Sequence, residues 1–388
     1  MINIADPHDC CGCIACMSVC GHNAIEMETD NLGFKYPKVD INKCVNCGLC
    51  DKVCAFNDNY DRSLNMEHPD IWAVRHKNMD TLMKSRSGGA FVALSDYILS
   101  LGGSVYGAGY TDHFRVVHKR ATTPEERDEF CGSKYTQSDM GNCFRQIKNE
   151  LRGGGIVLFS GTPCQTAGLN SFVGKRLRKN LYLVDIICHG TPSPYIWRDY
   201  LAYMEKKYNT TFTAIDFRDK KKFGWAAHYE TFRSADVEVS TSTFRYLFYK
   251  HIMLRYSCSN CHYNNFERPS DITLGDYWGW EKTDEEFNAD NKGCSLVIVS
   301  TEKGRDWFDK IKNKINYIPV KQENCLQPPL VAPFPAHTDR TKFEQDYVNH
   351  GFKYILYKYG DVGYRFKYNQ LILKIRTKLG SIKRKIIC

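Results

Sequence analysis

Along residues 70–330 the apolar positions fall into two alternating textures. Short runs rich in Val, Ile, Leu and Tyr, at 71–74, 104–110, 156–160, 181–188, 271–275 and 295–300, read as strands. Longer stretches at 90–101, 140–152 and 307–314 read as helices set between them. Strand and helix in alternation predict an α/β body with a mainly parallel sheet. The glycine run at 153–155 marks a soft boundary, dividing that body into 70–152 and 153–330. Residues 57–69 are polar and read as a linker. Beyond Pro335 the chain turns aromatic and basic without strand alternation, which predicts a helical appendage over 336–388.

The first 60 residues have another texture, set by cysteine. Cys10, Cys13, Cys16 and Cys20 follow the spacing x2, x2, x3, and Cys44, Cys47, Cys50 and Cys54 repeat it 34 residues later. This is the thiolate arrangement of an α+β ferredoxin-like module holding two [4Fe–4S] clusters. Three close cysteines wrap one cluster and the fourth crosses to the other. The expected sets are Cys10, Cys13 and Cys16 with Cys54, and Cys44, Cys47 and Cys50 with Cys20. Cys11 lacks the required spacing and is set aside. Zinc sites favour paired CxxC motifs over triplets with a trailing cysteine. Disulfides would need an exported chain, and the start MINIADPHDCC shows neither a basic nor an apolar leader region. The proline that usually follows the fourth cysteine is Gly21 in one copy and Ala55 in the other, which loosens the turn and removes no ligand.

Composition narrows the setting. A chain of 388 residues has room for two or three domains. Eighteen cysteines, eight of them in the repeat, point to a reducing cytoplasm. No run of about 18 apolar residues is present to span a bilayer. The formal charge is +9, yet no nucleic-acid-binding motif accompanies it. Six Lys and Arg residues crowd 374–385 among Leu and Ile, a pattern that suits peripheral membrane contact or a docking helix equally.

Several phrases in the body carry candidate chemistry. Ser85, Ser87, Gly88 and Gly89 precede an apolar helix, where free N–H groups suit a phosphate and a plain capped turn is the ordinary alternative. Tyr106 and Gly107 lie in a glycine-dotted strand open to a flat ligand or to close packing. Ser133, Lys134, Tyr135 and Gln137 place a cation, a phenol and polar groups in one loop, which could also be solvated surface. Cys164 and Cys188 end two strands and Cys258 and Cys261 form a CxxC pair, offering a third cluster, a zinc knuckle or buried small hydrophobes. Arg218 and Asp276 add charge near strand ends. No catalytic residue is assigned.

Taken in order, SRSGGAF, VYGAGY, GSKYTQS, SGTPCQ, DIICHG, FRDK with GW, CSNC and DITLGDYWG resemble the coenzyme F420 hydrogenase/dehydrogenase β-subunit family, over about residues 1–325. The resemblance implies an iron–sulfur flavoprotein. FAD would sit among Ser85–Gly89, Tyr106, Gly107 and Ser133–Gln137, and Cys164, Cys188, Cys258 and Cys261 would hold a third [4Fe–4S] cluster. Cys131, Cys294 and Cys325 stand in reserve as ligands. SGTPCQ and DIICHG are similar to bacterial members associated with surface-polysaccharide synthesis. The expected activity is an oxidoreductase taking electrons from a ferredoxin-type donor protein to a flavin and on to an unidentified small molecule. The alternative is an electron-transfer subunit with no substrate of its own.

Overall fold

A computed structural model describes residues 1–4, 6–57, 61–364, 366 and 368. The N-terminal module carries an antiparallel ribbon, β1 (Ile25–Thr29) against β2 (Lys35–Val39), set between the two cysteine motifs. In the body follow β3 (Asn65–His76), β4 (Ser104–Thr111), β5 (Arg115–Ala121), β6 (Val157–Gly161) and β7 (Leu181–Ile186). The strands β8 (Ala214–Asp216), β9 (Glu230–Arg233) and β10 (Glu238–Thr241) form a small antiparallel sheet, before β11 (Ile272–Asp276), β12 (Ser295–Thr301) and β13 (Ile315–Pro319) return to the large one.

The large sheet runs β13-β3-β12-β11-β7-β6-β4-β5. Its centre, β4, β6, β7 and β11, is parallel, as the strand–helix alternation predicts. Antiparallel strands flank both sides. The carboxyl ends of the parallel strands therefore gather on one edge, where ligands of open α/β sheets collect. The predicted linker is shorter than expected, because β3 already begins at Asn65. Pro69 hid this: it cannot donate to a ladder, and it sits where the β3–β12 register shifts, between Asp70 and Asn65.

The module is not a loosely tethered domain. Leu32 and Phe34, at the ribbon's turn, are fully buried among Ile196, Trp197 and Phe244 of the body. Ser193 Oγ donates to Leu32 O at 2.5 Å, and the Tyr195 N–H donates to the same carbonyl at 3.2 Å. The region after Pro335 is likewise part of the body. Helix Arg340–Tyr359, kinked at Gly351 (φ 73°), buries Phe343, Phe352, Ile355 and Leu356 in that same aromatic core. The basic stretch 371–388, with its expected membrane contact, lies outside the described residues.

Behind the sheet's carboxyl edge, a buried ion pair locks two distant segments. Arg268 Nη2 lies 2.9 Å from Asp185 Oδ1 at the end of β7, and neither side chain is solvent-accessible beyond 1%. Arg268 also donates to Ile186 O at 3.0 Å and Tyr263 O at 2.6 Å. It thus ties the segment preceding Cys188 to the one following Cys261. Replacing Arg268 with Met should cost about 3–5 kcal/mol, since it strands a buried carboxylate. Anaerobic denaturant titration would measure this, and an Asp185→Leu/Arg268→Met pair should recover most of the loss.

Candidate functional site

The two cysteine motifs fold as the same curl twice. Gly12 (φ 71°) and Ile14 (φ 66°) flank Cys13, and Asn46 (φ 52°) and Gly48 (φ 75°) flank Cys47 at the matching positions. Left-handed residues on both sides of a cysteine turn successive N–H groups inward, the concavity that receives anionic groups including iron–sulfur clusters. Ile14 is β-branched and disfavours that conformation, so the loop is held by what surrounds it. Backbone N–H groups are also aimed at sulfur, Ile2 N at Cys50 Sγ (3.2 Å) and Ala24 N at Cys20 Sγ (3.3 Å). The thiol placement follows the crossed pattern. Cys20 lines a small cavity with Cys44, Cys47 and Cys50. Cys54 lies close enough to Cys13 and Cys10 to be pushed up by them, after burial, to a pKa of about 11. The donor set, the N–H groups and the curl all fit two clusters.

Cys164, Cys188, Cys258 and Cys261 come together from three segments. Burial raises the Cys188 thiol, and Cys258, Cys164 and Cys261 raise it further. Thr191 N donates to Cys258 Sγ at 3.3 Å. Cys164 stands in the first turn of helix Pro163–Val173, behind Thr162 as N-cap, Pro163 at the first helical position and Gln165 reaching back to Thr162 N at 3.0 Å. SGTPCQ is therefore a strand end, a capping box and a ligand candidate in one phrase. Among the described residues, no three His, Cys, Asp or Glu side chains converge as around a single metal ion.

Cys11, set aside by spacing, joins the two groups. Cys13 and Cys164 lie close enough to its thiol that they, with burial, raise it well above its usual range. Gly168 makes this closeness possible, because a Cβ there would stand 2.6 Å from Cys13 Sγ.

At the sheet's carboxyl edge, Cys188 opens onto a cavity of about 500 Å³. Its wall includes eight of the expected cofactor residues: Ser85, Ser87, Gly89, Gly107, Ser133, Lys134, Tyr135 and Gln137. Helix Ala90–Ser100 starts at this wall with no side-chain cap. Buried polar atoms without a hydrogen-bond partner line the same space: Ser85 Oγ, Arg86 Nε, His118 Nδ1, Thr136 Oγ1 and Arg218 Nε. Four of these are donors, while His118 Nδ1 is left an acceptor because Nε2 donates to Ser160 O at 3.0 Å. Orphaned donors around an uncapped helix start fit a polar, phosphate-bearing ligand. Lys134 Nζ donates to Glu129 O at 2.7 Å, and burial brings its pKa down to about 8. Burial, then Arg218, lowers Arg86 to about 10. Arg218 pairs with Asp276, whose other oxygen accepts from Trp225 Nε1 at 2.8 Å.

Two expected cofactor residues lie elsewhere. Tyr106 points to the opposite face of β4, where its hydroxyl donates to Glu150 Oε1 at 2.6 Å beside Phe144 and Phe159. Gly88 is a crossing point: its N–H donates to Ser295 Oγ at 2.8 Å, and a Cβ would collide with Val74 O. Of the reserve cysteines, Cys131 lines the cavity, whereas Cys294 and Cys325 are buried around Leu296 and Ile298. Sequence reasoning missed Arg255, whose side chain enters the module and donates through Nε to Cys10 O at 2.7 Å. It also passed over His189, which lines the cavity and hydrogen-bonds His251 through Nε2 at 3.0 Å.

Residues 155–323 match the family described as the C terminus of the coenzyme F420 hydrogenase/dehydrogenase beta subunit. Residues 9–57 match a 4Fe-4S dicluster domain. Among solved structures, a chain of the F420-reducing [NiFe] hydrogenase complex from Methanosarcina barkeri is similar at 16% identity and a TM-score of 0.47, covering 76% of this chain and 93% of that one. No curated protein matches.

The crossed arrangement predicts that Cys20→Ser damages the cluster site of Cys44, Cys47 and Cys50 while sparing the one nearer in sequence. Electron paramagnetic resonance of the reduced variant should keep the signal that Cys16→Ala removes. Loss of that signal instead would overturn the crossed sets.

Proposed function

With residues 155–323 belonging to the C-terminal family of coenzyme F420 hydrogenase/dehydrogenase beta subunits and residues 9–57 to the 4Fe-4S dicluster domains, we propose that this iron–sulfur electron-transfer protein is a flavin-dependent oxidoreductase with a third cluster. One observation carries the reading: Cys188 belongs both to the third thiol group and to the wall of the cavity lined by orphaned donors. The cysteine groups follow one another into the body. The set of Cys20, Cys44, Cys47 and Cys50 includes the exposed Cys47, whereas Cys13 and Cys54 pack in one core with body residues, and Cys11 stands in that core near Cys164. A bound flavin would exchange single electrons with the clusters and electron pairs with a substrate, which is the physical reason to join them.

The chain's own residues supply the rest. Ser85, Ser87, Gly89 and Arg86 would hold the phosphates at the helix start, and Lys134 would offset negative charge on the ring or the pyrophosphate. Ser133, Tyr135, Gln137 and Gly107 complete the wall. Lys220, 4% exposed and held by the carbonyls of Leu82, Ser87 and Lys292, anchors the Ser85–Gly89 segment from behind. A second cavity of about 1120 Å³ meets the first at Ser85, Arg86, Cys131 and Gly132 and gives a small substrate room to approach. A substrate from surface-polysaccharide synthesis is suggested by SGTPCQ and DIICHG.

The second reading, a subunit that passes electrons to a partner, is favoured by the family's beta-subunit description and by the surface near Cys47. Cys47 is exposed there, with the exposed Val45 (58%) beside it in the same loop. A stable redox complex on purification supports that reading, and turnover by the solitary chain with a dye supports the enzyme.

Anaerobically prepared protein should contain about 12 iron atoms per chain, falling to about 8 in Cys188→Ala. A value near 8 in the unsubstituted chain would sink the third cluster, and zinc in its place would identify a knuckle.

Lys134 gives the flavin assignment a pH signature. In the ligand-free protein it releases its proton near pH 8. An anionic ligand favours the charged form, so binding takes up a proton above that pH and flavin affinity should fall as pH rises through 8. Lys134→Gln should flatten that dependence. Lys134→Glu should lose flavin while the module keeps its iron. Full flavin occupancy in Lys134→Glu would show the loop to be mere surface.

A further inference from the structure

Arg255 is 1% exposed and stands just before the short helix Tyr256–Asn260, which carries Cys258. Its side chain crosses from the body into the N-terminal module. Nε donates to Cys10 O at 2.7 Å, Nη2 donates to Lys35 O at 3.0 Å, and Nη1 donates to Gln137 Oε1 at 3.1 Å. Nη2 also lies 3.5 Å from Cys10 Sγ. The guanidinium covers the ring of Tyr36 at 4.1 Å. Among the described residues, no carboxylate forms an ion pair with it. A buried cation held by no ion pair is costly to desolvate. Asp30 feels the Arg255 charge from beyond ion-pair distance, whereas the Cys10 sulfur, which here stands for a cluster-bound thiolate, lies 3.5 Å from the guanidinium.

The second cysteine set has a different setting. Cys50 and Cys20 accept from the neutral N–H groups of Ile2 and Ala24, and Cys47 is exposed. Arg145 approaches Cys20 from the body, but it binds the carbonyls of Met17, Ser18 and Cys20 at 2.9–3.1 Å and is only half-buried. The Met1 ammonium also stands near Cys50 and Cys44, but it is solvent-exposed and already paired with Asp51 at 2.7 Å. One set of thiolates therefore faces a desolvated charge held by no ion pair, whereas the other faces water, neutral dipoles and a screened, neutralised ammonium.

We propose that Arg255 is a potential-setting residue, which makes the cluster held by Cys10, Cys13, Cys16 and Cys54 the higher-potential member of the pair. The inference rests on the dicluster reading. Reduction adds one electron, and hence one unit of negative charge, to a cluster already bearing thiolates. A guanidinium fixed in a dry interior stabilises that reduced form far more than an exposed charge would. An electron delivered to the outer set by a one-electron donor protein is then drawn toward the body, where Cys11 and Cys164 continue the path. Gln137, which lines the cavity, accepts from the same guanidinium and donates through Nε2 to Cys11 O at 3.1 Å.

The test is a redox titration of the full-length, anaerobically prepared chain, followed by electron paramagnetic resonance, with iron and labile sulfide assayed on the same samples. Arg255→Gln should lower the potential of the cluster that Cys16→Ala removes by at least the 59 mV equal to a tenfold change in a one-electron equilibrium, and leave the other in place. Arg255→Lys keeps the charge and should hold that potential within a tenfold equilibrium change of the unsubstituted value. Equal shifts in both variants would assign the effect to module docking and overturn the proposal, as would no shift in either. Should Arg255→Gln fail to assemble, the unsubstituted protein still decides. The cluster lost in Cys16→Ala must be the higher-potential one, and the reverse order sinks the inference. Full iron with unmoved potentials refutes Arg255 alone, whereas a module without iron refutes the dicluster reading beneath it.

Discussion

Gly168 has no side chain where the loop of Cys11 and Cys13 presses on helix Pro163–Val173, and the rest of the arrangement depends on that approach. The contact sets the Cys13 sulfur against a helix about 150 residues away in sequence. It places Cys11 near both Cys13 and Cys164, accompanies the approach of Arg255 to Cys10, and merges the module's core with the body's. A single methyl group at Gly168 would have to displace a cluster ligand or the helix. Close packing on a helix surface is among the least forgiving environments for added volume. The same constraint explains why the ribbon turn at Leu32 and Phe34 is buried in the body: the loop must be held from a second side for the contact to persist.

Arg268 and Arg255 do related work by different means. Arg268 is paired with Asp185 and positions the segments that present Cys188 and Cys261. Arg255 forms no ion pair among the described residues, and its donors go to carbonyls and an amide oxygen beside a sulfur. The paired residue makes scaffold. The other is held by no ion pair and keeps its charge in the interior beside a cysteine sulfur.

What the sequence made legible was local or periodic. The doubled cysteine spacing identified the dicluster domain, because cluster ligation is dictated by short chain geometry. The apolar runs located the strands of the main sheet, since buried strands cannot hide their composition. The Ser85–Gly89 and Ser133–Gln137 phrases converge on one cavity, while Tyr106 does not, because neighbouring strand residues face opposite sides and the glycine pattern did not say which side was open. Gly88 was chosen for phosphate contact and instead serves a backbone crossing, a role that needs the same lack of a side chain. Arg255 and Cys11 were illegible for one reason: their partners lie 245 and 153 residues away, and no local pattern encodes such contacts. The adjacent pair Cys10 and Cys11 was the available signal, and a spacing rule that needs only one cysteine discards it.

Exposure of Cys47 has a further consequence, for how the protein ages in air. Oxidants arrive from solvent, so the outermost thiolates meet them first, while Cys10, Cys13 and Cys50 are buried. Damage would begin at the outer rim and leave the interior iron and the cavity intact. Such a molecule would keep the metal and colour of its inner cluster, yet lose the cluster nearest the solvent. Bulk iron content is then a poor gauge of competence, and an inert sample can be a disconnected one rather than an empty one.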